Sequence, residues 1–306
     1  MNKTVLVTGA GGFIGSRIVS KLANHYIVKP GYRILMTGRC LEGQFETGEI
    51  TGATQWGDNL DDVNTIVHLA GVAHNNSNEL NYINEVNVKG TLNLAQQAAR
   101  SGVKRFIFMS SIGVLGNSTL KPFDENSVTI PHSDYAVSKL QAEKELLKLA
   151  RETALEVVII RPTLVYGVGA PGNFGKLVKL VQKTSILPFA LCKNKRSFIS
   201  VDNLVDFIST CIDHPKAKNQ IFCISDGHDV SIKEFTNGIA KGLSKKLIQL
   251  PIPAFMFKLL GGITGKSEMI DQLIGDLQVD SSKARELLDW TPPVTMSDTF
   301  NKLANT

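Results

Sequence analysis

The chain begins with a glycine-rich segment, Val5-Leu-Val-Thr-Gly9-Ala-Gly-Gly12-Phe-Ile-Gly15. An apolar run stops at the glycines and apolar residues then recur at helical spacing between positions 14 and 22, which predicts a buried strand, a tight turn and a helix. Gly9 permits the turn, Gly12 lets backbone N–H groups approach a pyrophosphate at the helix N-terminus, and Gly15 lets the helix lie close to the strand. The spacing is Gly-x-x-Gly-x-x-Gly, and its strand–turn–helix context predicts a dinucleotide-binding turn.

Length and composition set the class of protein. With 306 residues, 43% of them hydrophobic, the chain can bury a large core as one large domain or two coupled ones. A net charge of +5 with scattered basic residues argues against a nucleic-acid partner and favours anionic ligands.

The cysteines and the hydropathy indicate the compartment. Cys40, Cys192, Cys211 and Cys223 lack metal-binding spacing, so we expect buried thiols in a reducing cytoplasm and no metal site. The sequence shows no run of the ~18 apolar residues that a membrane span needs. We therefore expect a soluble, cytoplasmic protein.

The choice of cofactor depends on the end of the second strand, which the sequence predicts at residues 32–37, followed by Gly38 and Arg39. In dinucleotide-binding folds an acid at this place binds the ribose 2′-hydroxyl of NAD, whereas an arginine nearby accommodates the 2′-phosphate of NADP. Arg39 stands where the acid is expected, and the first acid after the strand is Glu42. We therefore favour NADP(H), with NAD as the alternative.

Two further buried strands, predicted at 65–71 and 105–109, end on small or hydroxyl residues. Ligands of open α/β sheets bind in the crevice at the carboxyl ends of the strands, so Gly71, Ser110 and Ser111 are expected to face that crevice. Asp58 is a candidate adenine contact, and a turn or helix-cap role fits it equally well.

A helix predicted from Ser133 carries Tyr135 and Lys139 one turn apart on the same face. A tyrosine hydroxyl has an ordinary pKa near ~10, too high for a base at neutral pH. The lysine ammonium, together with the positive nicotinamide ring, stabilises the phenolate and lowers that pKa. A serine hydroxyl on the same substrate oxygen then orients a carbinol or ketone for proton transfer while hydride passes to or from the cofactor.

Together these motifs resemble an extended short-chain dehydrogenase/reductase of the nucleotide-sugar epimerase and dehydratase group. The resemblance runs nearly end to end and rests on Thr8-Gly-Ala-Gly-Gly-Phe-Ile-Gly15, His68-Leu-Ala-Gly71, Asn87-Val-Lys-Gly-Thr91, Ser110-Ser111, Tyr135-x-x-x-Lys139, Arg161-Pro162 with Tyr166-Gly167, and Arg196-Ser-Phe-Ile-Ser-Val-Asp-Asn203. It implies an α/β fold: a Rossmann-type doubly wound parallel sheet with a smaller mixed α/β substrate-binding cap. The expected division is 1–165, with 198–226 returning to it, for the cofactor domain, and 166–197 with 227–306 for the cap.

The resemblance also implies roles for individual residues. The catalytic residues are Ser111, Tyr135 and Lys139. The cofactor-binding residues are Gly9, Gly12, Phe13, Ile14, Gly15, Arg39, Asp58, Asn59, Leu69, Ala70, Gly71, Asn87, Tyr135, Lys139 and Pro162. The substrate-binding residues are Ser110, Ser111, Asn173 and Arg196, the last two on a diphosphate.

Two features depart from the commoner epimerases. Leu273 and Ile274 precede Gly275, where those enzymes tend to carry a second phosphate-binding arginine. The segment 250–262 is unusually apolar for a cap; packing in the cap's own core is favoured, with peripheral membrane contact or a subunit contact as alternatives. The group also implies a homodimer, formed by the helices predicted at 82–100 and 135–153.

Two enzymatic functions fit these residues. The favoured one is NADPH-dependent reduction of a nucleotide-linked 4-keto (acetamido-deoxy) hexose, most readily UDP-linked, for surface polysaccharide synthesis. The alternative is an NAD-dependent 4-epimerase of UDP-hexoses or UDP-N-acetylhexosamines, which uses the same serine, tyrosine and lysine. Dehydratases usually place an acidic pair after the catalytic serine, where this chain has Ile112 and Gly113. A non-catalytic NADP-sensing protein is disfavoured because such proteins tend to lose the tyrosine or the lysine.

Overall fold

The structure is a computed structural model of the chain and describes residues 3–35, 43–73, 80–253, 255–257, 259, 262 and 267–305. The strands are β1 (Thr4–Thr8), β2 (Ile27–Tyr32), β3 (Phe45–Glu46), β4 (Val63–His68), β5 (Arg105–Met109), β6 (Glu156–Pro162), β7 (Leu164–Tyr166), β8 (Ile186–Leu187), β9 (Arg196–Ser200), β10 (Gln220–Ile224), β11 (Asp229–Val230) and β12 (Ile248–Gln249). The helices are α1 (Phe13–Leu22), α2 (Leu80–Asn84), α3 (Thr91–Arg100), α4 (Asp134–Glu152), α5 (Gly172–Lys183), α6 (Val201–Asp213), α7 (Ile232–Gly242), α8 (Ser267–Ile274), α9 (Ser282–Leu288) and α10 (Met296–Asn301).

Seven of these strands form one parallel sheet in the order β3-β2-β1-β4-β5-β6-β10. Helices α1 and α6 pack on one face, where Ile18, Leu22 and Phe207 are buried. Helices α3 and α4 pack on the other face, where Leu94 and Leu146 are buried. The predicted doubly wound, Rossmann-type sheet is thus confirmed, and its strand order reverses between β1 and β4, the place where such sheets bind ligands.

The second strand lies earlier in the chain than the sequence analysis predicted. β2 ends at Tyr32, so the strand predicted at 32–37 was wrong. Pro30 and Gly31 lie inside β2 and pair with the last two residues of β1. These residue types usually interrupt strands, which is why the pattern pointed past them. The residue that follows the strand is therefore Arg33, while Arg39 lies outside the described residues.

The cap is built around two small sheets, β11-β9-β7 and β12-β8, with α5, α7 and α10. Its core is aromatic: the ring of Tyr166 lies 5.5 Å from those of Phe235 and Phe300, and Phe198 stacks on Phe235 at 4.0 Å between centroids. Because aromatic rings bury large areas, such a cluster can hold a cap made of short elements.

The division of the chain into 1–165 with 198–226 and 166–197 with 227–306 stays a prediction. Within the second part, α9 and the residues after it pack against the large sheet: Ala284, Leu288 and Trp290 lie in its core, and the Trp290 ring lies 4.9 Å from that of Phe207. The C-terminal part of the chain thus returns to the sheet instead of staying wholly with the cap.

Cys192, Cys211 and Cys223 are free and buried, and Cys40 is not among the described residues. None of the helices that the structure describes is long and apolar enough to cross a membrane. Within the same residues, no group of His, Cys, Asp and Glu side chains is placed to hold a metal ion.

Candidate active site

The turn between β1 and α1 has the geometry of a phosphate cradle. Gly9 has a φ of +68°, and a Cβ there would lie 2.9 Å from the backbone N of Ala70; a Cβ on Gly15 would lie 2.0 Å from the carbonyl O of Gly9. Gly12 is the N-cap of α1, whose first turn contains no acidic residue. The Gly12 N–H donates to the Gly9 carbonyl O at 3.0 Å within the turn. The helix N-terminus beyond it favours the negative charge of a pyrophosphate, so the residues present fit a dinucleotide.

Several other predicted cofactor-binding residues lie at the ends of neighbouring elements. Phe13 and Ile14 begin α1, Leu69 and Ala70 follow β4, and Pro162 is the buried last residue of β6. Asp58 and Asn59 lie in a short 3-10 helix, Gly57–Leu60, that precedes β4.

Helix α4 carries two of the three predicted catalytic residues, Tyr135 and Lys139, and the turn that follows Ser111 packs against this helix. The Ser133 hydroxyl caps the helix by accepting from the Ala136 N–H at 3.2 Å, which starts it one residue before Tyr135. A Cβ on Gly113 would lie 3.3 Å from Ser111 Oγ and 3.7 Å from Ala136 Cβ. Gly113 thus lies between the Ser111 hydroxyl and the first turn of α4, where a larger side chain would meet both.

The ammonium of Lys139 is held at the ends of two strands. Its Nζ donates to the carbonyl O of Met109 at 2.8 Å, the last residue of β5. A Cβ on Gly71, just beyond β4, would lie only 3.3 Å from the same Nζ. Lys139 is 3% exposed, so its charge is buried at the carboxyl ends of β4 and β5.

Burial shifts the pKa values of the tyrosine and the lysine away from each other. Burial raises the pKa of Tyr135 to about 12. Burial lowers the pKa of Lys139 to about 8, with Glu143 opposing the shift. The expected lowering of the tyrosine pKa by Lys139 is not found in the protein without cofactor, where the effect of burial on Tyr135 is larger. The ammonium lies 5.8 Å from the Tyr135 ring centroid and donates its hydrogen bond to Met109 instead. A second positive charge is needed to make Tyr135 a base, and the nicotinamide ring supplies one when bound.

A buried ion pair behind the site was missed by the sequence analysis. Glu143 and Arg161 are 1% and 4% exposed, and Arg161 donates to both oxygens of the Glu143 carboxylate, at 3.0 and 2.6 Å. Ser110 also donates to this carboxylate. Glu143 lies on α4 and Arg161 on β6, so no local spacing in the sequence indicates the pair.

This arrangement bears on Ser110, which the resemblance assigned to the substrate. Ser110 is 2% exposed and its hydroxyl proton is used by Glu143. Ser111 is half-buried and its hydroxyl accepts from the Gly113 N–H at 3.1 Å. The geometry therefore gives Ser110 a structural position behind the site, in place of the expected substrate contact.

Asn87, assigned to the cofactor, lies in a π-helical turn, Glu85–Gly90, between α2 and α3. Its amide donates to the carbonyl O of Val72 and to Ser138, both at 3.0 Å, and accepts from the Val72 N–H at 2.8 Å. Asn87 thus fixes the segment after β4 to α4 and shapes the cofactor crevice through the backbone.

His68 connects β4 to two hydroxyls. Its ring nitrogens lie 2.8 Å from Thr8 Oγ1 and 2.9 Å from Thr91 Oγ1. Thr8 Oγ1 also accepts from the Ala70 N–H at 3.3 Å, so both ring nitrogens and the backbone after β4 belong to one hydrogen-bonded group. Burial, and to a lesser extent the charge of Lys139, lowers the pKa of His68 to about 3, so this ring stays neutral beside the ammonium.

Arg33 follows β2, at the position where dinucleotide-binding folds contact the ribose of the cofactor. It is exposed and its Nη2 lies 3.1 Å from Glu49 Oε1. The Tyr82 hydroxyl donates to the same carboxylate. A cation is thus present at the ribose end of the crevice, although it is not the Arg39 that the sequence analysis named.

The cap presents Arg196 and Asn173 from different elements. Arg196 begins β9 and donates to the carbonyl O of Gly275 at 3.1 Å. Burial lowers the pKa of Arg196 to about 10, with Asp276 opposing the shift, so it remains charged at neutral pH. Asn173 is exposed in the first turn of α5. Arg196 and Asn173 thus lie on different elements, and their role on a diphosphate stays a prediction.

The glycine cradle, the Ser111–Tyr135–Lys139 set and the parallel sheet define a nicotinamide-dependent enzyme of the short-chain dehydrogenase/reductase type. Residues 5–225 match the family described as "NAD dependent epimerase/dehydratase family". The chain belongs to this family, as the resemblance implied.

The chain is also similar to individual proteins of known activity. The chain is 46% identical to the "UDP-glucose 4-epimerase" of Vibrio cholerae, over 99% of this chain and 95% of the relative. It is 27% identical to the "N-acetyl-alpha-D-glucosaminyl-diphospho-ditrans,octacis-undecaprenol 4-epimerase" of Escherichia coli O157:H7, over 99% and 94% of the two chains. The UDP-glucuronic acid 4-epimerase of Bacillus cereus, solved in complex with NAD, has the same fold, with a TM-score of 0.79, 21% identity, and 97% and 96% of the two chains covered.

Proposed function

We propose that this protein is an NAD-dependent 4-epimerase of a UDP-linked hexose. The observation that carries the proposal is the 46% identity with the "UDP-glucose 4-epimerase" of Vibrio cholerae along nearly the whole of both chains, joined to a site that retains Ser111, Tyr135 and Lys139. This proposal replaces the 4-keto reduction that was favoured from the sequence.

The reaction divides between residues of the sheet and residues of the cap. Lys139 stabilises the Tyr135 phenolate by its charge, and this phenolate removes the proton of the C4 hydroxyl and becomes the neutral phenol. Ser111 donates a hydrogen bond to the same sugar oxygen. The cofactor, when bound, supplies the acceptor and then the donor of the C4 hydride. Tyr135 returns its proton once the 4-keto sugar has presented its other face, so the sugar is inverted at C4 without net oxidation.

The cap holds the nucleotide diphosphate during this turn. Arg196 pairs with the diphosphate and Asn173 donates to it. Because Leu273 and Ile274 stand where a second arginine would be expected, diphosphate binding depends on few contacts, and the sugar beyond it is free to rotate.

The test is interconversion of UDP-galactose and UDP-glucose, and of their N-acetyl forms, by the purified protein, with each product resolved chromatographically. We expect the same product ratio from either direction, since an epimerase brings both to one equilibrium. Failure of all these sugars to interconvert, with the cofactor bound, would refute the proposal.

NADPH-dependent reduction of a 4-keto sugar remains a second candidate because of Arg33 at the end of β2. The Arg33 guanidinium forms an ion pair with the exposed carboxylate of Glu49. Because an exposed ion pair contributes about 0–1 kcal/mol, a 2′-phosphate could compete with Glu49 for this guanidinium. Denaturing the protein and identifying the released dinucleotide separates the two. Stoichiometric NAD supports the epimerase, whereas an empty site with at least tenfold preference for NADPH, lost in Arg33→Ala, supports the reductase.

We also propose that the protein is a homodimer formed by α3 and α4. These helices lie side by side on one face of the sheet, and Val137 on α4 is 48% exposed. Sedimentation equilibrium at micromolar concentration tests this, and a monomer mass would contradict it.

A further inference from the structure

The outer surface of the cap carries a group of exposed apolar side chains. In the parallel pair β8 and β12, Ile186 lies directly opposite Ile248, and they are 50% and 58% exposed. Leu250 continues the same strand face and is 42% exposed. Its carbonyl accepts from the Ala190 N–H at 3.1 Å, which brings Leu191, 48% exposed, beside it.

The apolar surface extends into the segment after β12. Phe255, Met256 and Leu259 are 68%, 41% and 63% exposed. Phe257, between them, stacks on Phe189 with 5.8 Å between ring centroids, which anchors this turn to the same side of the cap. We call this surface the cap face; its residues are Ile186, Leu191, Ile248, Leu250, Phe255, Met256 and Leu259.

The two segments of sequence that supply the cap face carry charge of one sign. Residues 163–201 and 235–267, which supply all of it, contain no Asp or Glu. They contain eleven of the chain's 33 Lys and Arg residues: Lys176, Lys179, Lys183, Lys193, Lys195, Arg196, Lys241, Lys245, Lys246, Lys258 and Lys266. The charge is thus less evenly spread than the modest net value suggests.

Three exposed lysines flank the apolar residues directly. Lys183 precedes Ile186 by three residues, Lys246 precedes Ile248 by two, and Lys193 follows Leu191 by two. A surface that combines exposed apolar side chains with a basic rim has the chemistry of a protein that lies on an anionic bilayer, with the side chains entering the interface and the lysines contacting lipid phosphates.

We propose that the cap face docks the enzyme on the surface of a membrane that contains anionic lipids. A second copy of the chain fits less well, because a two-fold contact would bring the same lysines face to face. The bilayer satisfies both features at once: it covers the apolar side chains and supplies the missing negative charge.

The first test is co-sedimentation of the full-length protein with vesicles of phosphatidylcholine alone and of phosphatidylcholine mixed with phosphatidylglycerol. We expect binding to the anionic vesicles that weakens as salt is raised. Since a lysine near such a surface contributes a factor of roughly five, the variant Lys183→Glu/Lys193→Glu/Lys246→Glu should bind at least tenfold more weakly. The variant Ile248→Ser/Leu250→Ser should also lose binding.

Matched controls carry the same changes on other exposed positions: Lys104→Glu/Lys121→Glu/Lys218→Glu, and Leu120→Ser/Val128→Ser. They should bind as the unchanged protein does. No binding to anionic vesicles would overturn the proposal, and so would equal loss in the control variants, which would indicate a diffuse charge effect. Dissociation of a dimer by Ile248→Ser/Leu250→Ser would assign the cap face to a second copy instead. Vesicle binding is read without turnover, so this outcome is independent of the proposed function.

Discussion

The sheet that carries Tyr135 and the cap that carries Arg196 are built from different interactions. Behind the catalytic residues, buried polar groups satisfy one another: His68 with two threonines, Asn87 with Val72 and Ser138, and Glu143 with Arg161. The cap instead has a core of packed rings. A buried polar network fixes the positions of its side chains, because any shift leaves a polar group without its partner. Packed rings tolerate small shifts, since their contacts are less directional.

The difference corresponds to what each region has to do. Proton and hydride transfer require atoms held within fractions of an ångström, which the network behind α4 can provide. A sugar that rotates between the two hydride transfers requires a binding site that makes few hydrogen bonds to it. We therefore expect variants in the sheet to affect chemistry or stability, and variants in the cap to affect substrate binding.

The largest effect should come from the catalytic tyrosine. Tyr135→Phe removes the group that transfers the C4 proton, and we expect kcat to fall by about 10²–10⁴ with cofactor affinity nearly unchanged. Turnover of UDP-galactose and cofactor titration measure the two. Tyr26→Phe, which loses only a hydrogen bond to Asp213, should retain activity. Retained activity in Tyr135→Phe would remove Tyr135 from its role.

The second effect concerns stability and contrasts a buried ion pair with an exposed one. Glu143→Ala leaves Arg161 charged and buried, and we expect the free energy of unfolding to fall by about 3–5 kcal/mol. Glu143→Gln can still accept hydrogen bonds and should cost less. Lys302→Ala breaks a pair with Asp202 in which the lysine is 54% exposed, and should cost about 0–1 kcal/mol. Denaturant unfolding measures all three, and equal losses would remove the contrast.

The sequence predicts motifs of local spacing well, and it does not predict contacts between distant segments. Gly9 to Gly15 and Tyr135 with Lys139 depend on local spacing, so they are readable along the chain. Glu143 with Arg161 joins a helix to a strand, and no local pattern connects them. The second strand was misplaced because Pro30 and Gly31 resemble a loop, and only pairing with β1 overrides that preference. In the cap, the neighbours of Arg196 come from a segment near Gly275, whose proximity is set by tertiary packing.

The third effect tests the cap. Arg196→Met keeps most of the buried volume and removes the charge, and a hydrogen bond to a charged group is worth about 1.5–3 kcal/mol. We therefore expect the KM for the UDP-sugar to rise by about 10- to 100-fold with kcat changed little. Lys195→Met, an exposed neighbour, is the matched control. A fall in kcat at unchanged KM would place Arg196 among the groups that act in the transition state, and the division between sheet and cap would fail.

The smallest effect is the acid sensitivity that the sheet network imposes. The pKa of His68 is about 3 in the folded protein, against 6.5 for the unperturbed group, so the unfolded chain takes up the proton first as pH falls. Stability that is present above pH 6.5 is lost progressively toward pH 3, about 2 kcal/mol of it between pH 7 and pH 5. His68→Asn should lose less stability than the unchanged protein over that interval by about this amount, although it is less stable at pH 7. His25→Asn, an exposed position, should follow the unchanged protein. If His68→Asn shows the same pH dependence, the ring is not kept neutral by burial, and the network around it does not set the geometry of the crevice in the way we infer.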